Sequence, residues 1–306
     1  MEKAVLMGPF IGEFYWECGR FAPMLPYLRS RKYRKLNDIK YIILTRSERF
    51  DLYGKMADIL VPLRINGDYQ NLMPNCFRLN GYPIKEYYRI ARKFKKKYSE
   101  RFKIIEHIYP NIDKGRFCNK NQYHIKNMIF KYSPRDENYE LINKNMPGIY
   151  DKPIVLLAPR FRKGFKRNWG RWEEFYDCLY KDKEITSKFN FVICGKEGEY
   201  IPDKKNRFPD MARIPVGVNS SRVGLLLVLM EKASFVCGSQ SAIPNIGLLY
   251  KNEVLEFGCQ KSLHTKTYNV TNTPITFIDD RKYKIGCNVL FNKMKKLLRK
   301  HEIKEK

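Results

Sequence analysis

A chain of 306 residues, 43% of them hydrophobic, buries roughly three quarters of the surface its unfolded form exposes, which suits two cores better than one. That apolar content excludes a disordered chain, although 30% of the residues are charged. Lys and Arg number 59 against 32 Asp and Glu, a net charge of +27, and a field of that size draws nucleic acid, an anionic membrane surface or phosphorylated substrates; a lysine-rich bias from an AT-rich coding sequence accounts for the same excess on an ordinary surface.

In chain order, Ala4 to Met7 reads as a short strand closed by Gly8-Pro9. Its lead is too short in apolar length for a signal peptide, and Glu13 and Glu17 soon follow. A loop containing Gly12 leads into an amphipathic run through Leu28, then strands at 40–45 and 57–62. Residues 82–103 have a helical pattern, with a dense basic patch from Arg89 to Lys103 on most of its faces. Polar, turn-rich sequence from Pro110 to Gly148 reads as loops and a linker, so the expected domains are 1–148 and 149–306. The second half supplies strands at 153–158, 189–194, 233–237 and 275–278. Between them lie helices at 172–180, 221–232 and 242–250, and a basic terminal helix at 288–300, which is expected to pack back on the first half. Strand, loop and helix in alternation predict an α/β chain with parallel sheets in both halves. No apolar run reaches the length of a membrane span; Val223 to Met230 is the greasiest. Eight cysteines and four histidines without metal-ligand spacing predict free thiols in a reducing, cytoplasmic setting.

The loops at strand ends carry the candidate chemistry. Gly12-Glu13 follows the first strand. Ala158-Pro-Arg-Phe-Arg-Lys-Gly precedes Asn168-Trp169 and Trp172. Val192-Ile-Cys-Gly195 and Val236-Cys-Gly-Ser-Gln-Ser-Ala close two further strands. Taken in this order, the segments resemble the glycosyltransferase B fold, and within it the heptosyltransferase-like branch. The resemblance covers much of the C-terminal half and the opening of the N-terminal half. It implies two Rossmann-like domains with parallel sheets facing a central cleft. The acceptor side is then 1–148, and the nucleotide-sugar side is 149–306.

By that resemblance Glu13 stands where the branch places an aspartate that deprotonates the acceptor hydroxyl, here on a longer arm. A helix N-terminal acid held by the backbone dipole is the alternative. Glu17 shares the work or pairs with Arg20, and Trp16 joins them on the acceptor side. In the basic loop, Arg160, Arg162, Lys163 and Lys166 are candidates for stabilising the departing diphosphate without a metal, unless they form a solvated surface loop. Gly238, Ser239, Gln240 and Ser241 offer small residues and open amides for phosphate oxygens; an ordinary helix cap gives the same pattern. Gly195, Lys196 and Glu256 are placed at the donor nucleoside. Trp169 and Trp172 are candidates for the cleft wall, with burial in a core as the alternative for Trp172. No GxxxxGK[ST], GxSxG or DxD motif occurs, so no cofactor or metal is expected beyond the nucleotide-sugar donor, and the transfer is expected to invert configuration. The acceptor stays open between a hydroxylated DNA base, as in viral base-modifying transferases acting in the host cytoplasm, and an anionic glycan reached at a peripheral membrane contact. A nucleic-acid-binding protein on a transferase-like fold, without catalysis, is the alternative function.

Overall fold

The computed structural model describes residues 1–11, 14, 17–36, 38–64, 84–110, 132–161, 163, 168–258, 269, 271–280 and 282–304, with the side chains of 20, 84 and 301–304 left out of the description. Two compact units result, Met1–Arg135 and Asp136–Lys306. The division falls ahead of the expected boundary at Gly148, because part of the turn-rich stretch is a helix of the second unit.

In the first unit β1 (Lys3–Met7) leads to a helical run centred on α1 (Met24–Tyr27), with wide turns in which Ala22 N donates to Glu17 O and Tyr33 N to Leu28 O. Then come β2 (Ile39–Thr45), β3 (Ile59–Pro62), α2 (Ile84–Ser99) and β4 (Lys103–Ile108). The sheet order is β3-β2-β1-β4, all parallel. Helix α2 buries Tyr87, Ala91, Phe94 and Tyr98, spaced to share one helical face, against Ala4, Leu6, Ile42 and Leu44. Its basic residues Arg89, Arg92, Lys93, Lys95, Lys96 and Lys97 are all exposed. The patch is therefore the outer side of an amphipathic helix that ends at Ser99, and Lys103 opens a strand. Tyr87 Oη reaches the Pro9 and Pro110 carbonyls (3.1 and 2.9 Å). His107 Nε2 lies 2.8 Å from Gly8 O, and burial pulls its pKa down to about 4, so the neutral ring donates to that carbonyl. Helix and edge strand together fix the start of the loop after β1.

The second unit runs α3 (Asp136–Asn145), β5 (Ile154–Ala158), α4 (Trp172–Lys181), α5 (Lys183–Lys188), β6 (Asn190–Ile193), α6 (Arg222–Lys232), β7 (Ala233–Ser239), α7 (Ala242–Leu249), β8 (Glu253–Gly258), β9 (Ile275–Asp279) and α8 (Cys287–Lys304). Its strands, all parallel, lie in the order β6-β5-β7-β8-β9. Every residue of β5 is buried, as expected of a strand covered on both faces. Ser221 caps α6 by accepting from Gly224 N (2.8 Å), and its own N–H donates to Asn138 Oδ1 of α3 (3.1 Å). That bond joins α3 to the second unit.

Both tryptophans placed near the cleft belong to the second unit's core: Trp169 and Trp172 are fully buried against each other, Phe175 and Phe257, and Trp169 Nε1 donates to Ile285 O (3.0 Å). The terminal helix α8 lays Leu290, Met294, Leu297 and Leu298 into this same core, so its apolar face is occupied within its own unit. Cys18, Cys178, Cys194, Cys237 and Cys287 are free thiols. Among the described residues no helix is long and apolar enough to cross a membrane.

Candidate functional site

In the second unit the carboxyl edge of the parallel sheet brings together loops that lie far apart in sequence. Strand β7 ends at Gly238-Ser239 and passes through Gln240-Ser241 into α7, while β8 runs beside it with Glu256 opposite Gly238. A Cβ on Gly238 would stand 2.6 Å from Ala158 Cβ and 3.0 Å from Ala158 O, so only glycine lets β7 approach the end of β5 this closely. Gly258 has a φ of +152°, and a Cβ there would meet Tyr283 Oη at 2.8 Å and Gln240 Cβ at 3.0 Å. Gln240 N donates to Phe257 O (2.9 Å), and Arg160 Nη1 donates to Gln240 O (2.9 Å). The first cation of the basic loop is thus tied to the small-residue loop. That loop is also joined to the one after β6: Phe161 N donates to Glu199 O, Ile201 N to Pro159 O, and Arg160 bridges to Tyr200. Gly195 lies against the Tyr200 ring.

Side-chain polar atoms at this edge are buried without partners. Ser239 Oγ, both polar atoms of the Gln240 amide, Ser241 Oγ, Asn245 Oδ1 and both Glu256 carboxyl oxygens are shielded from solvent and make no hydrogen bond. Each such atom costs roughly 1–3 kcal/mol, and native folds tolerate few of them, so their concentration around the end of β7 makes this edge the candidate ligand site. Ser241 occupies the N-cap position of α7 but makes no side-chain cap bond, so a simple helix cap does not account for it. Burial pushes the pKa of Glu256 up to about 8. At neutral pH it is chiefly a protonated acid, one donor and one acceptor, at the position the resemblance assigns to the donor nucleoside.

The other sequence candidates divide. Lys163 is exposed. Lys196 is exposed and pairs with Glu199 (3.0 Å). Glu13, Trp16, Arg162 and Lys166 lie outside the described residues, as does the side chain of Arg20. Glu17 is fully buried in the first unit: Oε2 accepts from Arg49 Nη1 (2.6 Å), and Oε1 accepts from Tyr53 Oη (2.7 Å) and from Thr45 Oγ1. Its ionic partner comes from β2's far side in sequence, and all of these bonds hold it as a structural charge. Asn245 is not among the sequence candidates, although it is the one polar side chain of the apolar helix α7. Among the described residues no three His, Cys, Asp or Glu side chains gather as a metal site.

No family model and no curated protein matches the chain. Solved structures do. The E. coli ADP-heptose lipopolysaccharide heptosyltransferase II aligns over 99% of this chain and 100% of its own, with a TM-score of 0.56 at 9% identity. The glycosyl transferase family 9 structure from Veillonella parvula aligns over 91% and 86%, with a TM-score of 0.52 at 10% identity. The E. coli heptosyltransferase solved with ADP aligns over 96% and 99%, with a TM-score of 0.51 at 9% identity. At such identities the likeness concerns architecture alone, and with two parallel α/β units already established it gives the chain the glycosyltransferase B fold.

Proposed function

We propose that this protein transfers a sugar from a nucleotide-sugar donor to an acceptor hydroxyl. The observation that supports this most is the set of buried, unpartnered polar atoms on Ser239, Gln240, Ser241, Asn245 and Glu256. They lie at the carboxyl edge of a parallel sheet, where α/β folds take nucleotides. The Ser239 and Ser241 hydroxyls and the Gln240 side chain, beside Gly238, receive the diphosphate, with Arg160 next to them and Arg162, Lys163 and Lys166 following in the same loop; the Gln240 backbone amide is already spent on Phe257 O. Their fixed charges stabilise the leaving nucleoside diphosphate as its bond to the sugar breaks, which needs no metal. Gly195, Lys196 and Glu256 attend the nucleoside, Glu256 as a neutral acid that both donates and accepts. Glu13, in the loop after β1, takes the proton of the attacking hydroxyl, and attack opposite the leaving group inverts the anomeric carbon. Trp16 and Arg20 complete the acceptor side, while Glu17 is already saturated by Arg49, Tyr53 and Thr45 and takes a structural part.

The acceptor in this reading is a glycan or a hydroxylated DNA base. A second reading, polyanion binding without catalysis, is favoured by the wholly exposed basic side of α2. A panel of nucleotide sugars, scored for released nucleoside diphosphate with and without hydroxymethylated DNA, separates the two. Transfer is expected with at least one donor, and Glu13→Gln is expected to abolish it at nearly unchanged donor affinity. Salt-steep DNA binding with no donor bound by any member of the panel leaves only the second reading.

A further inference from the structure

A second group of polar atoms without partners lies in the first unit, and the donor site does not use it. Arg46 directly follows β2 at the carboxyl edge of the sheet, with its side chain 16% exposed. Its Nε and Nη2 are shielded from solvent and have no acceptor. Nη1 lies 3.8 Å from Glu48, which is itself half in solvent. Nε and Nη2 form one edge of the guanidinium, and that edge grips both oxygens of a carboxylate or two of a phosphate in parallel.

The nearby internal anion is already committed. Glu17 spends Oε2 on Arg49 and Oε1 on Tyr53 and Thr45. Arginine does not escape by losing its proton. Burial, and then the like charge of Arg49, push the Arg46 pKa down, so the cation is held at a cost that an arriving oxyanion would offset. The place is suited to an acceptor. Phe10 N reaches Leu44 O (3.4 Å), which lays the loop after β1 beside the end of β2. The Arg49 guanidinium lies 6.0 Å from the Phe10 and Phe14 rings.

We propose that Arg46 anchors an oxyanion site in the first unit, gripping a carboxylate or phosphate group through Nε and Nη2. That this group belongs to the sugar acceptor rests on the transferase reading; the oxyanion site does not. The full chain, labelled with nitrogen-15, is titrated with inorganic phosphate, with acetate, and with chloride at matched ionic strength, while the arginine Nε–H resonances are followed. One resonance, missing from Arg46→Lys, is expected to move saturably with phosphate, acetate or both and to ignore chloride. Response to phosphate alone identifies a phosphorylated group, and response to acetate alone a carboxylate. Arg46→Lys and Arg46→Met, checked for fold by circular dichroism, are expected to bind the effective anion at least about tenfold more weakly, since the two-pronged grip is lost. A resonance that neither anion moves, or folded variants with undiminished affinity, overturns the site. Hydrogen exchange over residues 236–258 with and without nucleoside diphosphates is read on the same protein. No protection there counts against the transferase reading and leaves the oxyanion site standing, whereas protection with a silent Arg46 sinks the site alone.

Discussion

Glu256 and Glu17 are both fully buried carboxyls, and their surroundings give them opposite character. Glu17 has a guanidinium and two hydroxyls on its oxygens and is held as the ionic partner of Arg49. Glu256 has no partner, and burial raises its pKa from an ordinary 4.5 to about 8. Between those two values the folded chain holds a proton that the unfolded chain has released, so stability falls as pH rises through this window. At roughly 1.4 kcal/mol for each pH unit the window spans, the loss is on the order of a few kcal/mol. Glu256→Gln keeps the shape and removes the titration. Urea midpoints measured without nucleotide at pH 5 and pH 8 are expected to show the variant gaining on the wild type at the higher pH; a constant difference refutes an unpartnered acid. For Glu17 the expected sign is a plain loss. Glu17→Gln strands the Arg49 charge inside the first unit and is expected to cost roughly 3–5 kcal/mol, part of it recovered in Glu17→Gln with Arg49→Met. No recovery in that double variant would mean the pair does not interact as the geometry has it.

Among the elements, α2 shows how much a periodic pattern can carry. Its Tyr, Ala, Phe, Tyr stripe is legible at helical spacing, and the lysines that fill the other positions are outer surface. Phe94→Ala is expected to cost about 3–5 kcal/mol, while Lys93→Gln and Lys96→Gln stay within about 0.5 kcal/mol of the parent; denaturant midpoints of the three variants check this. Strands β1, β2, β5 and β7 are legible for the complementary reason, being short apolar runs. Strands β4 and β8 are not. β4 lies at the sheet's edge, where Lys103 reaches water, Glu106 pairs with Lys32 and Tyr33 and His107 spends its ring on the Gly8 carbonyl. β8 carries the buried Glu256, which interrupts its apolar run. Helix α3 hides inside turn-forming residues because Asn138, which reads as a loop residue, spends its side chain on the backbone of Ser221. The contact between β5 and β7 at Gly238 depends on spatial closeness that no local pattern encodes. Gly238→Ala drives its methyl into Ala158 and is expected to weaken nucleoside diphosphate binding at least about tenfold while costing roughly 1–3 kcal/mol of stability; wild-type affinity in this variant counts against the turn as the diphosphate seat.

At the scale of the molecule, the +27 charge says less about the site than the placement of a few polar groups does. Most of the basic residues of α2 face outward, whereas Arg160 is aimed at Gln240 within a cluster of partnerless atoms. Composition therefore gives only a net positive charge, and only the fold distinguishes a diffuse field from a fixed one. Two separately cored units make that distinction measurable. A ligand that binds only the native second unit stabilises it by RT ln(1 + [L]/Kd), about 2.7 kcal/mol at one hundred times Kd. Amides of β5, β7 and β8 that exchange only when that unit opens should then slow about a hundredfold. Amides of α2 and β4, in the first unit, should keep their rates at constant ionic strength unless their opening requires the second unit to open. Phosphate at the same ionic strength separates specific nucleotide capture from general screening. If β5, β7 and β8 exchange at one rate whether the solution contains nucleoside diphosphate or only salt, the partnerless atoms are not a nucleotide seat, and the second unit has some other use for its buried polar edge.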